Sequence, residues 1–268
     1  MNKTLILLLV CVATVSCYAM ENNQLGKEKK VGIYTTQNRR EYQEDRFYHG
    51  IVDGGNFYAI YDGHLGFAVA DFLAKNFHTY FSQASGNDMR ERMITAFKNA
   101  DNDEFIKKTK TSGSTATVVF IKDNKAHFAH VGDSRAVLEG NGEVAFATVD
   151  HKPNRADEYI RITDSQGLVY NKRVNGFLAV SRAFGNYGLD KRLIISEPAY
   201  AEVQLTENNK FLLLATDGLW DKVTNEEVIE KLKGMKANAQ DVARLLASLA
   251  IKRGSQDNIT VMLVDLLS

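Results

Sequence analysis

Short runs of β-branched and aromatic residues, each closed by Gly, Asn or Asp, most constrain how this 268-residue chain can fold. Such runs predict β-strands, and the residues between them predict how neighbouring strands are joined. Asp123-Asn124 is predicted as one hairpin turn and Gly140-Asn141-Gly142 as a second. Because hairpins join antiparallel neighbours, we expect antiparallel sheet. The predicted strands are 57–61, 115–121, 126–131, 135–138, 144–149, 211–215 and 259–264.

Helices are predicted between these strands. Val69, Leu73, Phe77 and Tyr80 recur at helical spacing, and a second helix is predicted over residues 88–108. Sheets built from hairpins, with helices arriving in pairs, indicate an α+β fold in layers. A sandwich of two antiparallel sheets flanked by helices fits this pattern, as do other α+β folds.

Two more helices are predicted towards the C-terminus. Thr224 and Glu227 form a capping box at the start of one helix, and Gly234 is its predicted stop. The other helix carries an apolar stripe from Val242 to Leu249 and is closed by Gly254. No Pro/Ser-rich linker or repeat interrupts residues 31–267, so a single domain is expected.

The charge balance limits the classes of partner. Lys+Arg and Asp+Glu number 33 each, so the formal net charge is zero. Nucleic-acid-binding proteins usually carry a basic excess, and membrane-surface binders usually carry a basic amphipathic helix. Neither feature is present in the sequence, so no nucleic acid partner is expected.

The N-terminus has the pattern of a secretory signal peptide. Lys3 precedes the apolar run 4–15, and Cys17 and Ala19 fit the small-x-small pattern, which predicts cleavage after Ala19. A signal peptide over 1–19 and a flexible, Lys-rich segment over 20–30 are therefore expected, with a secreted or periplasmic location. A buried N-terminal strand or helix is the alternative.

Both cysteines, Cys11 and Cys17, lie within the predicted signal peptide. The mature chain would then contain no disulfide and no thiolate metal site. A lipid anchor through Cys17 is the less favoured variant, because Thr14 is a poor residue to begin a lipobox. No stable membrane span is expected after cleavage, because the apolar run is too short to cross a bilayer comfortably.

Four aspartates end or flank apolar strands, at Asp62, Asp133, Asp217 and Asp257. Asp is a poor strand residue, and a charge at the end of a buried strand is costly unless it is paired. If these strand ends meet at one edge, a hard divalent cation would relieve the repulsion, and oxygen ligands favour Mg²⁺, Mn²⁺ or Ca²⁺. The alternative is that each Asp-Gly is only a turn signal.

Eight motifs resemble those of a known family and occur in its order through nearly the whole mature chain. The chain resembles the metal-dependent serine/threonine protein phosphatases of the PPM type, also called type 2C. The motifs are Arg40-Glu41-Tyr42-Gln43-Glu44-Asp45, Tyr61-Asp62-Gly63-His64, Ser112-Gly113-Ser114-Thr115-Ala116, Val131-Gly132-Asp133-Ser134-Arg135, Asp150-His151-Lys152-Pro153, residues 173–185, Ala215-Thr216-Asp217-Gly218-Leu219-Trp220-Asp221, and residues 254–261.

The resemblance implies a four-layer sandwich over residues 31–268, with two antiparallel sheets between pairs of helices. It also implies two Mn²⁺ or Mg²⁺ ions and a third, weaker one. The expected ligands are the bridging Asp62, the Gly63 carbonyl, Asp217 and Asp257, with Glu44 and Asp45 at the metal-water shell and Asp133 joining Asp217 at the third position.

The implied reaction is hydrolysis of phosphoserine or phosphothreonine in a protein by a metal-activated water. Arg40 is expected to grip the substrate phosphate and His64 to protonate the leaving alkoxide. A phosphorylated protein is therefore the expected partner, and the chain is expected to be a monomer. Trp220, Ser114, Thr115 and His151 are expected to be structural.

The sequence also departs from the family pattern. Leu65 stands where a second glycine is usual, which could shift the loop beside the metals. Asn186 stands where Asp is common, Gln166 replaces a small residue, and the connection 186–198 is short, which predicts a reduced substrate-selecting flap. Two rival functions remain: an inactive pseudophosphatase scaffold, and an exported Ca²⁺-binding structural module, which would leave Arg40 and His64 unexplained.

Overall fold

Two five-stranded antiparallel sheets form the centre of the structure, a computed structural model that describes residues 29–233 and 238–268. The first sheet has the order β1-β15-β14-β8-β9 and the second has the order β13-β7-β6-β3-β2. The strands of the first sheet are β1 Lys30–Thr36, β8 Arg135–Gly140, β9 Glu143–Ala147, β14 Phe211–Ala215 and β15 Ile259–Asp265; those of the second are β2 Arg46–Val52, β3 Gly55–Tyr61, β6 Ala116–Lys122, β7 Lys125–Val131 and β13 Ala199–Gln204.

Short strands form two smaller sheets beside these. A three-stranded sheet has the order β12-β5-β4, and β10 pairs with β11. Their bounds are β4 Gly63–His64, β5 Gly113–Ser114, β10 Val169–Tyr170, β11 Arg173–Val174 and β12 Phe184–Gly185.

Helices cover the outer faces of the two large sheets. On the second sheet lie α1 Ala68–Gln83 and α2 Met89–Asp101, with α3 Glu104–Lys108 following. On the first sheet lie α5 Asp217–Trp220, α6 Asn225–Leu232 and α7 Ala239–Lys252. Another helix, α4 Ala156–Asp164, packs with the segment that follows it rather than with either sheet. The predicted α+β four-layer sandwich is therefore confirmed.

Two central strands, β3 and β14, are apolar along most of their length, and both of their faces are buried. In β3, Phe57 and Tyr61 pack towards the helices, whereas Tyr58 and Ile60 pack against the other sheet. β14 alternates in the same way, with Leu212 and Leu214 turned towards the sheet interface. This alternation is the period of two that a strand imposes on its side chains. Asp62 directly follows β3, and Asp217 follows β14 after Thr216.

The predicted turns and caps occur as expected. Asp123 and Asn124 both have positive φ, of 51° and 57°, as a tight hairpin turn requires, and Asn141 and Gly142 do the same between β8 and β9. The Thr224 hydroxyl accepts from the Glu227 backbone N–H, and the Glu227 side chain accepts from the Thr224 N–H. The predicted stop at Gly234 lies outside the described residues.

Several predicted boundaries were wrong. The helix expected over 88–108 is two helices, because Asn102 ends α2 and the Asp103 side chain caps α3. None of the five two-residue strands in the described part of the chain was predicted, and three strands of the two large sheets were also missed, namely β1, β2 and β13. Each of them lies at the edge of a sheet, where the side chains are only partly buried and the apolar pattern is weak.

The predicted signal peptide, 1–19, and most of the segment 20–30 lie outside the described residues. The first strand begins at Lys30, and the Lys29 ammonium donates to the carbonyl oxygens of Leu266 and Ser268. Within 29–233 and 238–268, none of the helices is both long and apolar enough to cross a bilayer.

Residues 165–198, between α4 and β13, form the flap, which includes the connection 186–198 and shares a small hydrophobic core with α4. Ile162 of α4 packs with Val174, Leu178 and Ile194, all of which are buried. The connection 186–198 contains turns and no regular helix or strand. The flap therefore docks on α4 beside the end of the sandwich where the strand-end aspartates lie.

Candidate metal centre

One cleft of about 610 Å³ collects the predicted site residues. It lies at the end of the sandwich where β3, β7 and β14 finish, with the flap on one side. The predicted residues that line it are Arg40, Glu44, Asp62, Gly63, His64, Asp133, Asp217 and Asp257. Asp45 does not line the cleft and is buried at 4% exposure.

Three carboxylates meet inside this cleft. One oxygen each of Asp62, Asp133 and Asp217 lies within 4.8 Å of the others. Burial raises the pKa of Asp62 well above its ordinary value, and the negative charge of Asp217 adds to this. Burial likewise raises the pKa of Asp217, with repulsion from Asp133 and Asp257 adding. A bound cation would relieve this repulsion between the buried carboxylates.

Asp257 is held differently, by the residue expected to bind phosphate. Its Oδ2 lies 2.5 Å from Nη2 of Arg40, and both side chains are partly exposed. The charge of Asp257 still reaches the cluster, since it contributes to the raised pKa of both Asp62 and Asp217. Arg40 thus links the outer edge of the carboxylate cluster to the mouth of the cleft.

Lys152 and Asp221 also line the cleft, and sequence reasoning gave neither of them a role. The Lys152 ammonium pairs with Asp133. Burial would lower the pKa of Lys152, but the charge of Asp133 more than offsets this and the pKa is raised. Asp221 follows Asp217 by one helical turn, its N–H donating to the Asp217 carbonyl. That i, i+4 spacing was the signal available for Asp221.

Asp45 lies behind the cluster. Its Oδ2 accepts hydrogen bonds from Thr216 at 3.1 Å and from Thr260 at 2.9 Å. Its Oδ1 is buried and has no hydrogen-bond partner among the described residues. Burial raises the pKa of Asp45 to about 7, against the effect of the two hydroxyl donors.

Glu44 and Gly63 are fixed by the backbone around them. Glu44 Oε1 accepts from the Gly66 N–H at 2.6 Å. A side chain at Gly63 would place its Cβ 2.7 Å from the Glu44 carbonyl oxygen, so only glycine fits this close approach. The Leu65 departure is absorbed locally, since Leu65 takes a left-handed φ of 55° while Gly63 and His64 stay paired with β5.

His64 borders the cleft and bonds to Asn186, one of the positions at which the sequence departs from the family pattern. Its Nε2 lies 2.8 Å from Oδ1 of Asn186. Burial lowers the pKa of His64, and the hydrogen bond to Asn186 opposes this effect. Two of the expected structural residues also have plain partners: Thr115 Oγ1 accepts from the Asp62 N–H at 3.1 Å, and Trp220 Nε1 donates to the Ala215 carbonyl at 2.8 Å. His151 differs, since neither ring nitrogen has a hydrogen-bond partner among the described residues and the ring stacks on His130.

The donor set suits a hard divalent ion. It consists of carboxylate oxygens and a glycine carbonyl, the ligand types that select Mg²⁺, Mn²⁺ or Ca²⁺. The buried Asp45 oxygen without a protein partner, and the raised pKa values of Asp62 and Asp217, are consistent with such an ion or its waters nearby. The residues therefore fit the implied metals.

The fold and the cleft together define a class: a two-sheet α+β sandwich with an acidic, oxygen-only site at one end. A sequence model described as Protein phosphatase 2C matches residues 31–259. The chain belongs to the protein phosphatase 2C family, and the resemblance drawn from the eight motifs is confirmed.

Two curated relatives and one solved structure illustrate the match. "Probable protein phosphatase 2C 7" of Oryza sativa subsp. japonica is 38% identical over 79% of this chain and 58% of its own length. "Protein phosphatase 1B" of Homo sapiens is 33% identical over 89% and 57%. The chain thus spans less than two thirds of both relatives. A serine-threonine phosphatase 2C from Toxoplasma gondii shares the fold, with a TM-score of 0.72 and 24% identity over 88% of this chain and 94% of that one.

Proposed function

We propose that this chain is a protein serine/threonine phosphatase that uses two Mn²⁺ or Mg²⁺ ions and a metal-activated water. The observation that carries the proposal is the meeting of Asp62, Asp133 and Asp217 within 4.8 Å in a cleft that Arg40 and His64 also line. Phosphoryl transfer needs positioned positive charge around phosphorus and a proton for the leaving oxygen. This cleft offers residues for both requirements.

Asp62, the Gly63 carbonyl, Asp217 and Asp257 would hold the two ions. Glu44 and Asp45 would accept hydrogen bonds from their water shell, and Asp133 would join Asp217 at a third, weaker position. When bound, the ions would supply Lewis acidity that lowers the pKa of water and offsets charge on phosphoryl oxygens.

Arg40 would bind the substrate phosphate, since its planar guanidinium matches two oxygens at once. In the structure this guanidinium bonds to Asp257 at 2.5 Å and is half exposed, so it can turn towards a ligand at the cleft mouth. A phosphate would then replace a carboxylate as its partner.

His64 would donate a proton to the departing serine or threonine oxygen. It borders the same cleft as the carboxylate cluster, which supports this role. Residues 20–268 contain no cysteine, so a phosphocysteine intermediate plays no part.

The pseudophosphatase scaffold remains the second candidate function, because fold does not guarantee activity. Its usual mark is loss of metal ligands, yet every expected ligand type is retained at its position. The departures Leu65 and Asn186 replace no expected ligand.

A single assay separates the candidates. Phosphate release from a phosphothreonine peptide is measured with chelator-treated protein, then with Mn²⁺, Mg²⁺ or Ca²⁺ added back. The proposal expects activity with Mn²⁺ or Mg²⁺ and none after chelation. Metal binding without turnover would indicate the scaffold, and tight Ca²⁺ binding alone would indicate the structural module. Turnover that resists chelation would contradict the metal mechanism.

A further inference from the structure

We infer that Asn186 is a positioning residue that fixes which nitrogen of His64 carries the proton and so directs the other nitrogen to the reaction. This inference rests on the proposed function for its catalytic meaning. The hydrogen-bond arrangement behind it concerns only residues of this chain. Asn186, at which the sequence departs from the family pattern, thereby has an assigned role in the site.

The three-stranded sheet brings the two side chains together. His64 ends β4 and Asn186 directly follows β12, while β5 lies between those strands. Gly113 of β5 pairs with His64 on one side and with Gly185 on the other. A Cβ at Gly113 would clash with Oδ1 of Asn186 and with Nε2 of His64. The missing side chain of Gly113 therefore leaves the space in which the two residues meet.

The orientation of the Asn186 amide is set from its other end. Nδ2 of Asn186 donates to the Thr111 carbonyl at 2.8 Å, so Oδ1 is the atom that faces His64. The Asn186 backbone N–H also donates to the Ser112 carbonyl at 3.0 Å, and the residue is 1% exposed. The side-chain amide and the backbone of Asn186 are thus both fixed by hydrogen bonds, and the residue is buried.

An amide oxygen only accepts hydrogen bonds, so Nε2 of His64 must be the donor in the 2.8 Å contact. The neutral ring then carries its proton on Nε2, and Nδ1 is the nitrogen that can take up and release a second proton. In the proposed reaction His64 first takes a second proton from solvent on Nδ1; the scissile P–O bond then breaks, and the leaving oxygen keeps the electron pair and takes that proton from Nδ1. The ring that remains is the Nε2–H form that Asn186 already holds.

The amide also has an electrostatic advantage over the carboxylate common at this position. The cleft already contains the aspartates Asp62, Asp133 and Asp217 within 4.8 Å of one another. A further carboxylate beside His64 would add negative charge to the same end of the molecule, against the approach of a phosphate. Asn186 supplies the acceptor without that charge.

The first test needs no variant. In metal-free wild-type protein labelled with ¹⁵N-histidine, two-bond ¹H–¹⁵N spectra identify which ring nitrogen is protonated in neutral His64. We expect protonated Nε2. A proton on Nδ1, or an equal mixture of both forms, would overturn the inference whether or not the protein is active.

The second test compares two substitutions. Asn186→Leu keeps the approximate volume but removes the acceptor, and Asn186→Asp keeps an acceptor. With Mn²⁺ bound, we expect Asn186→Leu to lose about 10- to 100-fold in turnover of a phosphothreonine peptide, a part of what a general acid contributes. It should lose less than about 3-fold on p-nitrophenyl phosphate, whose leaving group scarcely needs a proton. Asn186→Asp should keep the Nε2–H signature.

Asn209→Leu is the matched control. Asn209 is a buried amide that bonds to backbone, with Nδ2 donating to the Glu139 carbonyl at 2.9 Å, and it lies outside the cleft. It should leave the ratio of the two substrates unchanged. Equal loss on both substrates by Asn186→Leu would overturn the positioning role. A wild-type protein with Nε2–H but no phosphatase activity would instead refute the proposed function and leave the tautomer assignment standing.

Discussion

At the scale of single residues, two kinds of side chain line the cleft: carboxylates that repel one another, and side chains that offer a proton or a positive charge. Asp62 and Asp217 would be costly neighbours without a cation, since burial raises the pKa of both. Burial also lowers the pKa of His64, which favours the neutral ring, and that ring bonds to the neutral Asn186. Ligand and proton donor should therefore respond differently to substitution.

Asp217→Asn and His64→Ala are expected to fail in different ways. Asp217→Asn replaces a carboxylate with a weaker ligand for a hard cation, so activity should fall by several orders of magnitude and partly recover at high Mn²⁺. His64→Ala should keep metal affinity and lose about 10²- to 10⁴-fold on a phosphothreonine peptide. Steady-state kinetics on that peptide and on p-nitrophenyl phosphate measure both effects.

The aryl substrate p-nitrophenyl phosphate distinguishes a metal ligand from a residue that protonates the leaving group. The His64→Ala defect should shrink markedly on p-nitrophenyl phosphate, because nitrophenolate leaves without protonation, whereas the Asp217→Asn defect should persist. If His64→Ala harms both substrates equally, His64 does not protonate the leaving group, and a role in holding the attacking water becomes the better interpretation.

The aspartates that follow apolar strands were sufficient to predict part of this site from the sequence, but not the rest. Asp62, Asp133 and Asp217 each follow an apolar run, so their convergence was predictable. Lys152 lies in a loop, and its pairing with Asp133 depends on how that loop returns to the cleft. The Arg40–Asp257 ion pair joins residues from opposite ends of the chain, a contact that no local pattern encodes.

At the scale of elements, α4 attaches the flap through a buried ion network. Glu158 is 1% exposed and accepts from Arg161 at 2.9 Å and from Arg182 at 2.6 Å. Burial would raise the pKa of Glu158, but hydrogen bonds from Arg182, Arg161 and Ser181 hold it below its ordinary value. The charged form is therefore the one that stabilises the fold.

Glu158→Gln should destabilise the protein at neutral pH by roughly 3 kcal/mol, because it leaves two arginines without their buried partner. The pKa of Glu158 is lowered on folding, so its contribution is complete above the ordinary pKa of glutamate, about 4.3, and is lost as pH falls through the folded value. In urea unfolding from pH 7 down to pH 3, the difference in free energy of unfolding between wild type and Glu158→Gln should shrink.

Glu230→Gln is the control, since Glu230 is exposed and pairs with the exposed Lys233 at 3.1 Å. It should change stability little at any pH. An equal cost for Glu158→Gln at pH 3 and pH 7 would show that the carboxylate charge is not what stabilises the flap.

The elements found from sequence were those with the strongest apolar pattern. β3 and β14 are buried on both faces and were predicted within a residue or two. β1, β2 and β13 are edge strands whose side chains are mostly half-exposed, and their pattern was too weak. Burial on two faces made β3 and β14 easy to predict, although the edge strand β9 was predicted as well.

At the scale of the whole molecule, the family resemblance carried by the eight motifs implied the layer arrangement that the structure has. The order of strands within each sheet and the packing of the flap on α4 follow from long-range contacts and had to be observed. Export through residues 1–19 stays a prediction.

Metal should stabilise the whole domain as well as support turnover. Binding to the folded state alone contributes roughly 2.7 kcal/mol when free Mn²⁺ is about 100 times its Kd. A thermal melt of chelator-treated protein should therefore shift upwards by several degrees as Mn²⁺ is added, with a smaller shift for Asp217→Asn at the same concentration. A melt that does not change with Mn²⁺ would argue against a metal site in this cleft.

The most direct measurement follows phosphate release from a phosphothreonine peptide while Mn²⁺ is titrated into metal-free protein, with wild type and Asp62→Asn side by side. Asp62 has its carboxylate at the centre of the cluster, within 4.8 Å of Asp133 and Asp217. The wild-type rate should rise from background to saturation, and the Asp62→Asn rate should stay near background throughout. Full turnover before Mn²⁺ is added, or an Asp62→Asn curve that matches wild type, would contradict a phosphatase mechanism based on this carboxylate cluster.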